Sequence, residues 1–182
     1  MPATRTLLAI FAHPDDEAFG TGGVLSKYAA QGVNVHLITA TCGEAGQIAD
    51  PALATPQTLA RVREQELRCA CRTYGINPPH LLRYPDGQTS QVNQKEAVGK
   101  IVHLIRRLKP QVVIAFGPDG IYGHYDHLVL HRWAVLAVDL AADPEWFPEQ
   151  LTARRRTHTV GRLYYRAMPQ SLIDSMRRDG GG

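Results

Sequence analysis

The stretch "LLAIFAHPDDEAFGTGG", residues 7–23, passes directly from continuously apolar chain into one imidazole and three carboxylates. Residues 6–12 are apolar except for Thr6 and are too few for a helix, and they predict a buried β-strand. The polar residues that follow this strand are His13, Asp15, Asp16 and Glu17. Charge placed beside a hydrophobic core is costly unless a partner compensates for it. The segment is therefore either a cation-binding site or a solvated turn.

The rest of the chain alternates predicted strands with predicted helices. Further strands are predicted over 33–41, 81–84, 112–116 and 162–166, and helices over about 17–31, 56–74, 94–109 and 124–142. Thr55 and Asn93 are the expected N-caps of the second and third helices, and Glu96 has the spacing of a capping-box partner for Asn93. This alternation predicts an α/β fold with a parallel sheet covered on both faces. No repeat or linker divides the chain, so a single domain over 1–182 is expected, with the loop at 143–159 as its most mobile part.

Composition excludes several classes of function. The chain has 182 residues, 44% of them hydrophobic, and a net charge of +3. The densest basic run, residues 154–156, is short and carries no interleaved aromatic residues, so no nucleic-acid partner is expected. Cys42, Cys69 and Cys71 form neither a CxxC pair nor an even framework, which is typical of a reducing cytoplasm. The N-terminal apolar run is too short for a signal peptide or a membrane span, so we expect a cytoplasmic protein.

Polar clusters follow four of the predicted strands. They are HPDDE after the first strand, CGE after the second, PDG after the third and GPDGIYGHYDH after the fourth. Ligands bind beyond the carboxyl ends of the strands in such sheets. Because all four clusters belong to that edge, the sequence predicts the active site there.

The histidines of the fourth cluster extend the case for a cation. His124 and His127 are three residues apart at a predicted helix start and so share one face, and Asp126 between them can accept a hydrogen bond from an imidazole. His13, Asp16 and one of these two histidines would form a two-histidine, one-carboxylate set with an open position, as in catalytic zinc or non-haem Fe(II) sites. The alternative is a pair of surface histidines with Asp126 as a helix cap, and acidic residues after the first strand that complement a helix dipole.

The motifs AHPDDE and GHxDH together resemble the LmbE-like, or PIG-L, family of metal-dependent N-deacetylases, and the resemblance extends from the first strand to about Arg166. It implies a Rossmann-like, mostly parallel sheet of about five strands, with helices on both faces and the active site at the carboxyl ends of the strands. It also implies a small-molecule N-acetylglucosaminyl conjugate as the substrate. The implied cofactor is Zn²⁺, with Fe²⁺ or another divalent metal as the alternative.

The resemblance also assigns roles to residues. It implies that the metal ligands are His13, Asp16 and His127, that Asp15 is the general base, and that His124 stabilises the oxyanion. Asp126 is then expected to set the orientation and charge of His124. A metal-activated water, a carboxylate base and a cationic imidazole are the groups that amide hydrolysis needs.

Four further matches are less specific. They are Glu44 in TCGEAGQ, Arg63 in RVREQELRCA and Asp86 in RYPDGQ, all implied substrate contacts, and Tyr122, whose phenol could reach the reacting carbonyl. Each has an ordinary alternative. Arg63 could pair with Glu64 or Glu66 on its helix, PDG is common turn chemistry, and Tyr122 could simply pack.

The chain also departs from the family pattern. Tyr125 stands where many relatives have proline, and many relatives continue past the fifth strand with a segment that closes the pocket. We therefore expect either an open pocket or a homo-oligomer in which a neighbour completes it, with Trp146 and Phe147 on the contact or lid loop. Competing functions are an amidase on a larger thiol-conjugate or antibiotic amide, and a non-catalytic Rossmann-like binding module. The second is disfavoured because "GTGGVLS" does not form GxGxxG after the first strand.

Overall fold

Five strands form one parallel sheet in the computed structural model, which describes residues 5–179. The strands are β1 (Thr6–Phe11), β2 (Asn34–Thr39), β3 (His80–Leu81), β4 (Val112–Phe116) and β5 (Arg162–Arg166), in the order β3-β2-β1-β4-β5. All four neighbouring pairs are parallel. The predicted Rossmann-like α/β sheet of five strands is confirmed. The strand order reverses between β1 and β4, and this switch point is where such sheets open a ligand crevice.

Six helices complete the described part of the chain. They are α1 (Gly22–Ala30), α2 (Leu59–Tyr74), α3 (Gln94–Leu108), the single turn α4 (Gly120–Gly123), α5 (Tyr125–Ala142) and α6 (Gln170–Asp179). Helices α1 and α2 pack together, as do α3 and α5. All six residues of β1 are buried, as expected for a central strand covered on both faces. None of the described helices combines the length and apolarity needed to cross a bilayer.

Three predicted boundaries are wrong because local turns take over from the expected element. Helix α1 begins at Gly22 rather than near residue 17, since the chain from 13 to 21 forms turns. Helix α2 begins at Leu59 rather than at residue 56. The residues before it form a turn, in which the Thr55 carbonyl accepts hydrogen bonds from the amides of Thr58 and Leu59. Strand β3 ends at Leu81, and Arg83 then leaves the extended region at φ 60°.

The predicted cap of α3 is present in part. The side chain of Asn93 accepts a hydrogen bond from the amide of Glu96 at 3.1 Å. The Glu96 carboxylate does not complete a capping box, because it lies 2.9 Å from the Lys100 ammonium one turn further along the helix. Asn93 therefore caps α3 by itself, and Glu96 contributes an i,i+4 ion pair.

The loop at 143–159, which we expected to be mobile, is held by a buried arginine. Arg106 on α3 is fully buried and donates hydrogen bonds to five carbonyl oxygens at 2.7–3.1 Å. The acceptors are the carbonyls of Leu140, Ala141, Asp143, Trp146 and Phe147. Phe147 in turn packs against Gly99, where an added Cβ would lie 2.8 Å from its ring. One side chain thus satisfies the carboxyl end of α5 and fixes the loop that follows it.

We expect Arg106→Met to lower the free energy of unfolding by about 3 kcal/mol, because it leaves buried carbonyls without donors. Methionine retains much of the buried volume, so the loss isolates the hydrogen bonds. Urea unfolding of the variant measures it, with Arg107→Met, an exposed position on the same helix, as the matched control. Equal stability of the two variants would show that Arg106 does not anchor the loop.

Candidate active site

The loops after β1 and β4 bring three ligand-type side chains together at the switch point. Asp16 Oδ2 lies 3.3 Å from His13 Nδ1, and Asp16 Oδ1 lies 3.3 Å from His127 Nε2. His127 Nε2 and His13 Nδ1 are 3.4 Å apart. Three ligands bound at the usual zinc distances around a tetrahedral ion are separated by about 3.4 Å. The three residues, each at most 9% exposed, therefore have spacings close to those of a metal-ligand set, with Asp16 facing the two histidines through different oxygens. Among the described residues, groups of single donor atoms within 4.8 Å of one another are also formed by His13, His124 and His127 and by His13, Asp86 and Asp126.

Hydrogen bonds on the outer ring atoms orient both histidines of this set. His13 Nε2 lies 3.0 Å from Asp126 Oδ2 and 3.0 Å from Asp86 Oδ1. His127 Nδ1 lies 3.2 Å from the carbonyl oxygen of Gly120. With protons on these outer nitrogens, His13 Nδ1 and His127 Nε2 would offer lone pairs to an ion, and His13, which is cationic while no ion is bound, would release its second proton when the ion binds. Ligand histidines in metal sites are oriented in this way. The donor set therefore fits a divalent transition metal.

The charges of His13, Asp16 and the two carboxylates that contact His13 compensate one another. Burial disfavours a charged His13, but hydrogen bonds to Asp126, Asp16 and Asp86 raise its pKa to about 11. Burial also acts against ionisation of Asp16, yet hydrogen bonds from His127 and His13 hold its pKa well below the usual range. The cluster consequently keeps its carboxylates ionised inside the protein, which is the state required to balance a cation.

Asp126 occupies a different position from the one predicted. Its carboxylate contacts His13 and accepts hydrogen bonds from the Gly87 amide at 2.9 Å and from the Thr89 hydroxyl at 2.5 Å. The expectation that Asp126 orients His124 is wrong, because the start of α5 directs this carboxylate toward the turn after β3. In the described residues, His124 Nδ1 is buried without a hydrogen-bond partner. Burial, followed by the charges of His127 and His13, lowers the pKa of His124, so this imidazole is neutral rather than cationic.

Asp15 is the exposed carboxylate of the cluster, with 48% of its side chain accessible. Its backbone has φ 121°, a region that residues with a Cβ rarely adopt. Its amide donates to Glu17 Oε2 at 3.0 Å, and its carboxylate lies 2.5 Å from Arg63 Nη2. Burial raises the pKa of Asp15, while the Arg63 charge opposes that rise. Asp15 is thus paired with Arg63 yet accessible to a substrate, while Asp16 is enclosed.

The predicted substrate contacts are near the site but are largely engaged by the protein. Asp86 Oδ2 accepts from the Ala45 amide at 3.0 Å, and its other oxygen faces His13. Glu44 Oε1 accepts from the Asp86 amide at 3.0 Å, whereas Oε2 is buried without a partner among the described residues. Tyr122 is 60% exposed, and its ring centroid lies 5.5 Å from that of His127.

Two adjoining cavities open over the cluster. A smaller one of about 270 Å³ is lined by His13, Asp16 and Asp86, and a larger one of about 810 Å³ extends between the loop at 46–54 and α2. They share a wall formed by Asp15, Gly46, Arg63, Tyr122 and His124. The described residues of the loop at 143–159 line neither cavity. Trp146 and Phe147 therefore do not cover the site as a lid in this structure, and the alternative that they contact a neighbouring subunit stays a prediction.

Comparison with known families agrees with this geometry. Residues 8–138 match the family model described as PIG-L, GlcNAc-PI de-N-acetylase. This match covers most of the chain, including His13, Asp16 and His127. The chain belongs to the PIG-L family.

Relatives in the PIG-L family include named deacetylases. The chain is 36% identical to a 1D-myo-inositol 2-acetamido-2-deoxy-alpha-D-glucopyranoside deacetylase of Streptomyces avermitilis, over 93% of this chain and 64% of the relative. It is 37% identical to 1D-myo-inositol 2-acetamido-2-deoxy-alpha-D-glucopyranoside deacetylase 2 of Catenulispora acidiphila, over 92% of this chain and 62% of the relative. The chain thus spans less than two thirds of the length of these relatives.

Solved structures show the same fold. An N,N'-diacetylchitobiose deacetylase from Pyrococcus horikoshii superposes with a TM-score of 0.79 at 24% identity, over 97% of this chain and 68% of the other. A conserved protein from Thermus thermophilus superposes with a TM-score of 0.70 at 31% identity, over 89% of this chain and 66% of the other.

Sequence reasoning missed three contributors to this PIG-L site. Glu17 was assigned to a helix start, yet its buried carboxylate holds the Asp15 amide. Thr89 donates to Asp126 across the turn after β3. Arg166 at the end of β5 lies 4.0 Å from Asp16 Oδ1. Of the three, only Glu17 could have been found from the sequence, because it is the last residue of the HPDDE motif. The other two contacts join residues far apart in the chain.

Proposed function

We propose that this chain is a metal-dependent hydrolase that removes the acetyl group from an N-acetylglucosaminyl conjugate. The observation that carries the proposal is the ligand-type triangle of His13, Asp16 and His127 beneath a cavity whose wall includes Asp15 and His124. The names of the relatives support the same reaction. A non-catalytic binding module would have no need for this donor set beside an accessible carboxylate.

We assign His13 Nδ1, Asp16 and His127 Nε2 as the protein ligands of a divalent ion. Zinc is the proposed metal because two imidazoles and one carboxylate, with an open position, are typical of catalytic zinc sites. Such an ion supplies Lewis-acid activation of a water molecule and of the amide carbonyl when it is bound. Asp126, Asp86 and the Gly120 carbonyl hold the two imidazole rings in the ligating orientation.

We assign proton transfer to Asp15 and stabilisation of the oxyanion to His124. Asp15 is the accessible carboxylate beside the cluster, and it would accept a proton from the attacking water and return it to the leaving amine. A neutral imidazole at His124 would donate an N–H to the carbonyl oxygen as negative charge develops. The exposed phenol of Tyr122 is a second candidate donor on the same wall.

We propose that the acetamido sugar occupies the smaller cavity and that the rest of the conjugate extends into the larger one. Glu44 stays a proposed substrate contact that requires local movement, because its unpartnered Oε2 is buried and Glu44 lines neither cavity. The larger cavity, about 810 Å³, also accommodates a bulky thiol-conjugate or antibiotic amide, which is the second candidate substrate class. We further propose that residues 1–182 form one domain, that the protein is cytoplasmic, and that it assembles as a homo-oligomer.

Release of a primary amine tests this function. The purified protein, loaded with zinc, is incubated with N-acetylglucosaminides that carry small, inositol-like or bulky aglycones. We expect amine release that requires metal and is lost after chelation, with the fastest turnover on a glucosaminide. Turnover of none of these compounds by a protein that carries stoichiometric zinc would refute the proposal. Preferred turnover of a bulky antibiotic amide would favour the second substrate class.

A further inference from the structure

The guanidinium of Arg63 is part of the wall shared by the two cavities, and the protein engages it on several sides. Arg63 projects from α2, and only 17% of its side chain is accessible. Nη2 donates to the Pro14 carbonyl and lies 2.5 Å from Asp15 Oδ2. Nη1 donates to the Gly43 carbonyl at 3.1 Å. One side chain therefore connects α2 with the loop after β1 and the loop after β2.

Two glycines make room for this guanidinium. A Cβ built at Gly43 would lie 2.2 Å from Arg63 Nη1, and one built at Gly46 would lie 3.0 Å from the same atom. Gly43 also has φ 70°, a conformation that glycine adopts without strain. The loop after β2 is thus shaped around Arg63, which indicates a fixed position rather than a flexible surface arm.

The residue that Arg63 holds has a strained backbone. Asp15 at φ 121° lies outside the regions favoured for residues with a Cβ, and such conformations cost about 1–3 kcal/mol unless neighbouring contacts enforce them. The enforcing contacts come from two sides. Glu17, which is 2% exposed, accepts the Asp15 amide, and Arg63 holds both the preceding carbonyl and the Asp15 carboxylate.

We propose that Arg63 is a positioning residue that holds Asp15 in its strained, catalytically useful conformation, with Glu17 holding the same residue through its amide. This inference rests on the proposed function of Asp15 as the base, and it adds a positioning role for Arg63 to the predicted contact with substrate. Three of the five N–H donors of its guanidinium contact Pro14, Asp15 and Gly43, so most of its hydrogen-bonding capacity is directed at the protein and two donors remain for a ligand.

Steady-state kinetics of Arg63→Met separate positioning from substrate binding. We expect kcat to fall by about 10²-fold, because misplacement of a catalytic group by about 1 Å costs that much. KM should change by less than about threefold, and the bound metal should stay at the wild-type level. Arg61→Met, an exposed position on the same helix, is the matched control and should behave as wild type. A rise in KM with unchanged kcat would show instead that Arg63 binds substrate.

Two further measurements test whether Arg63 acts through Asp15. In an Asp15→Asn background, Arg63→Met should cause no additional loss, because the residue it positions is already disabled. An additive loss would overturn the inference. Guanidinium ion added to Arg63→Ala should restore part of kcat, as expected when a missing donor group is supplied, and no restoration would count against positioning.

A crystal structure of Arg63→Met keeps the inference testable without any activity. We expect Asp15 to relax to a negative φ when its carboxylate and the Pro14 carbonyl lose their donor. An unchanged Asp15 backbone would refute positioning by Arg63. If the wild-type protein hydrolyses no N-acetylglucosaminide, the proposed function is refuted. The positioning of Asp15 by Arg63 is still tested in that case, because the crystal structure shows the Asp15 backbone without any activity measurement.

Discussion

Replacing His127 with alanine is expected to abolish metal binding and to reduce amide hydrolysis by about 10³-fold or more, since the metal contributes several kcal/mol to the barrier. His127 is 1% exposed, and its ring stacks on Phe116 with centroids 4.0 Å apart. The truncation leaves His13 and Asp16 as the remaining members of the ligand triangle. Elemental analysis of the purified variant measures the metal, and amine release measures the activity.

The matched control for this prediction is His131→Ala. His131 lies one turn later on α5, and its Nδ1 is 2.9 Å from the Phe116 carbonyl, away from the ligand triangle. This variant should keep both metal and turnover, which separates loss of a ligand from general damage to α5. Circular dichroism should show both variants folded. Stoichiometric zinc in folded His127→Ala would show that the ligand assignment is wrong, with His124 as the next candidate, since its nitrogen lies within 4.8 Å of those of His13 and His127.

The second large effect is expected for Asp15→Asn, which should keep the metal and lower kcat by about 10²–10⁴-fold. The amide has nearly the same volume as the carboxylate but cannot accept the proton of the attacking water. Asp15 is not a member of the ligand triangle, so the metal content should not change. Single-turnover hydrolysis, measured beside metal analysis, separates the two effects.

Asp139→Asn is the control, because Asp139 is an exposed carboxylate on α5 away from both cavities. It should show wild-type kinetics. Near-normal turnover in Asp15→Asn would exclude this residue as the base. Loss of the metal in the same variant would instead identify Asp15 as a ligand and require a different base.

The sheet and its functional edge could be predicted because their signals are local. Residues 7–12 are apolar without interruption, as a central parallel strand requires, and the strand pattern at 112–116 matches β4 residue for residue. Once the strands are assigned, the carboxyl ends of β1 and β4 must lie at one edge. The gathering of His13, Asp16 and His127 at that edge follows from chain topology. The metal itself stays a prediction that elemental analysis decides.

Helix starts were predicted less well, because short-range hydrogen bonds compete with the helix. Glu17 has the charge expected in a first helical turn, but its carboxylate binds the amide of Asp15 and keeps the chain in turns until Gly22. Thr55 and Pro56 have the composition of a helix start, yet the Thr55 carbonyl closes a turn of its own. Residue composition therefore predicts that a helix lies close to a given segment, whereas local hydrogen bonds determine the residue at which the helix begins.

The sequence by itself determined the parallel α/β architecture, the edge that carries the site and the residue types gathered there. Only the tertiary structure decided which partner each side chain takes. It directs Asp126 to His13 and Thr89 instead of His124, engages Arg63 with Asp15, and fixes the loop at 143–159 through Arg106. The physical reason is that hydrophobic periodicity is encoded in neighbouring residues, whereas a hydrogen bond depends on distance and angle between groups that the fold brings together from remote positions.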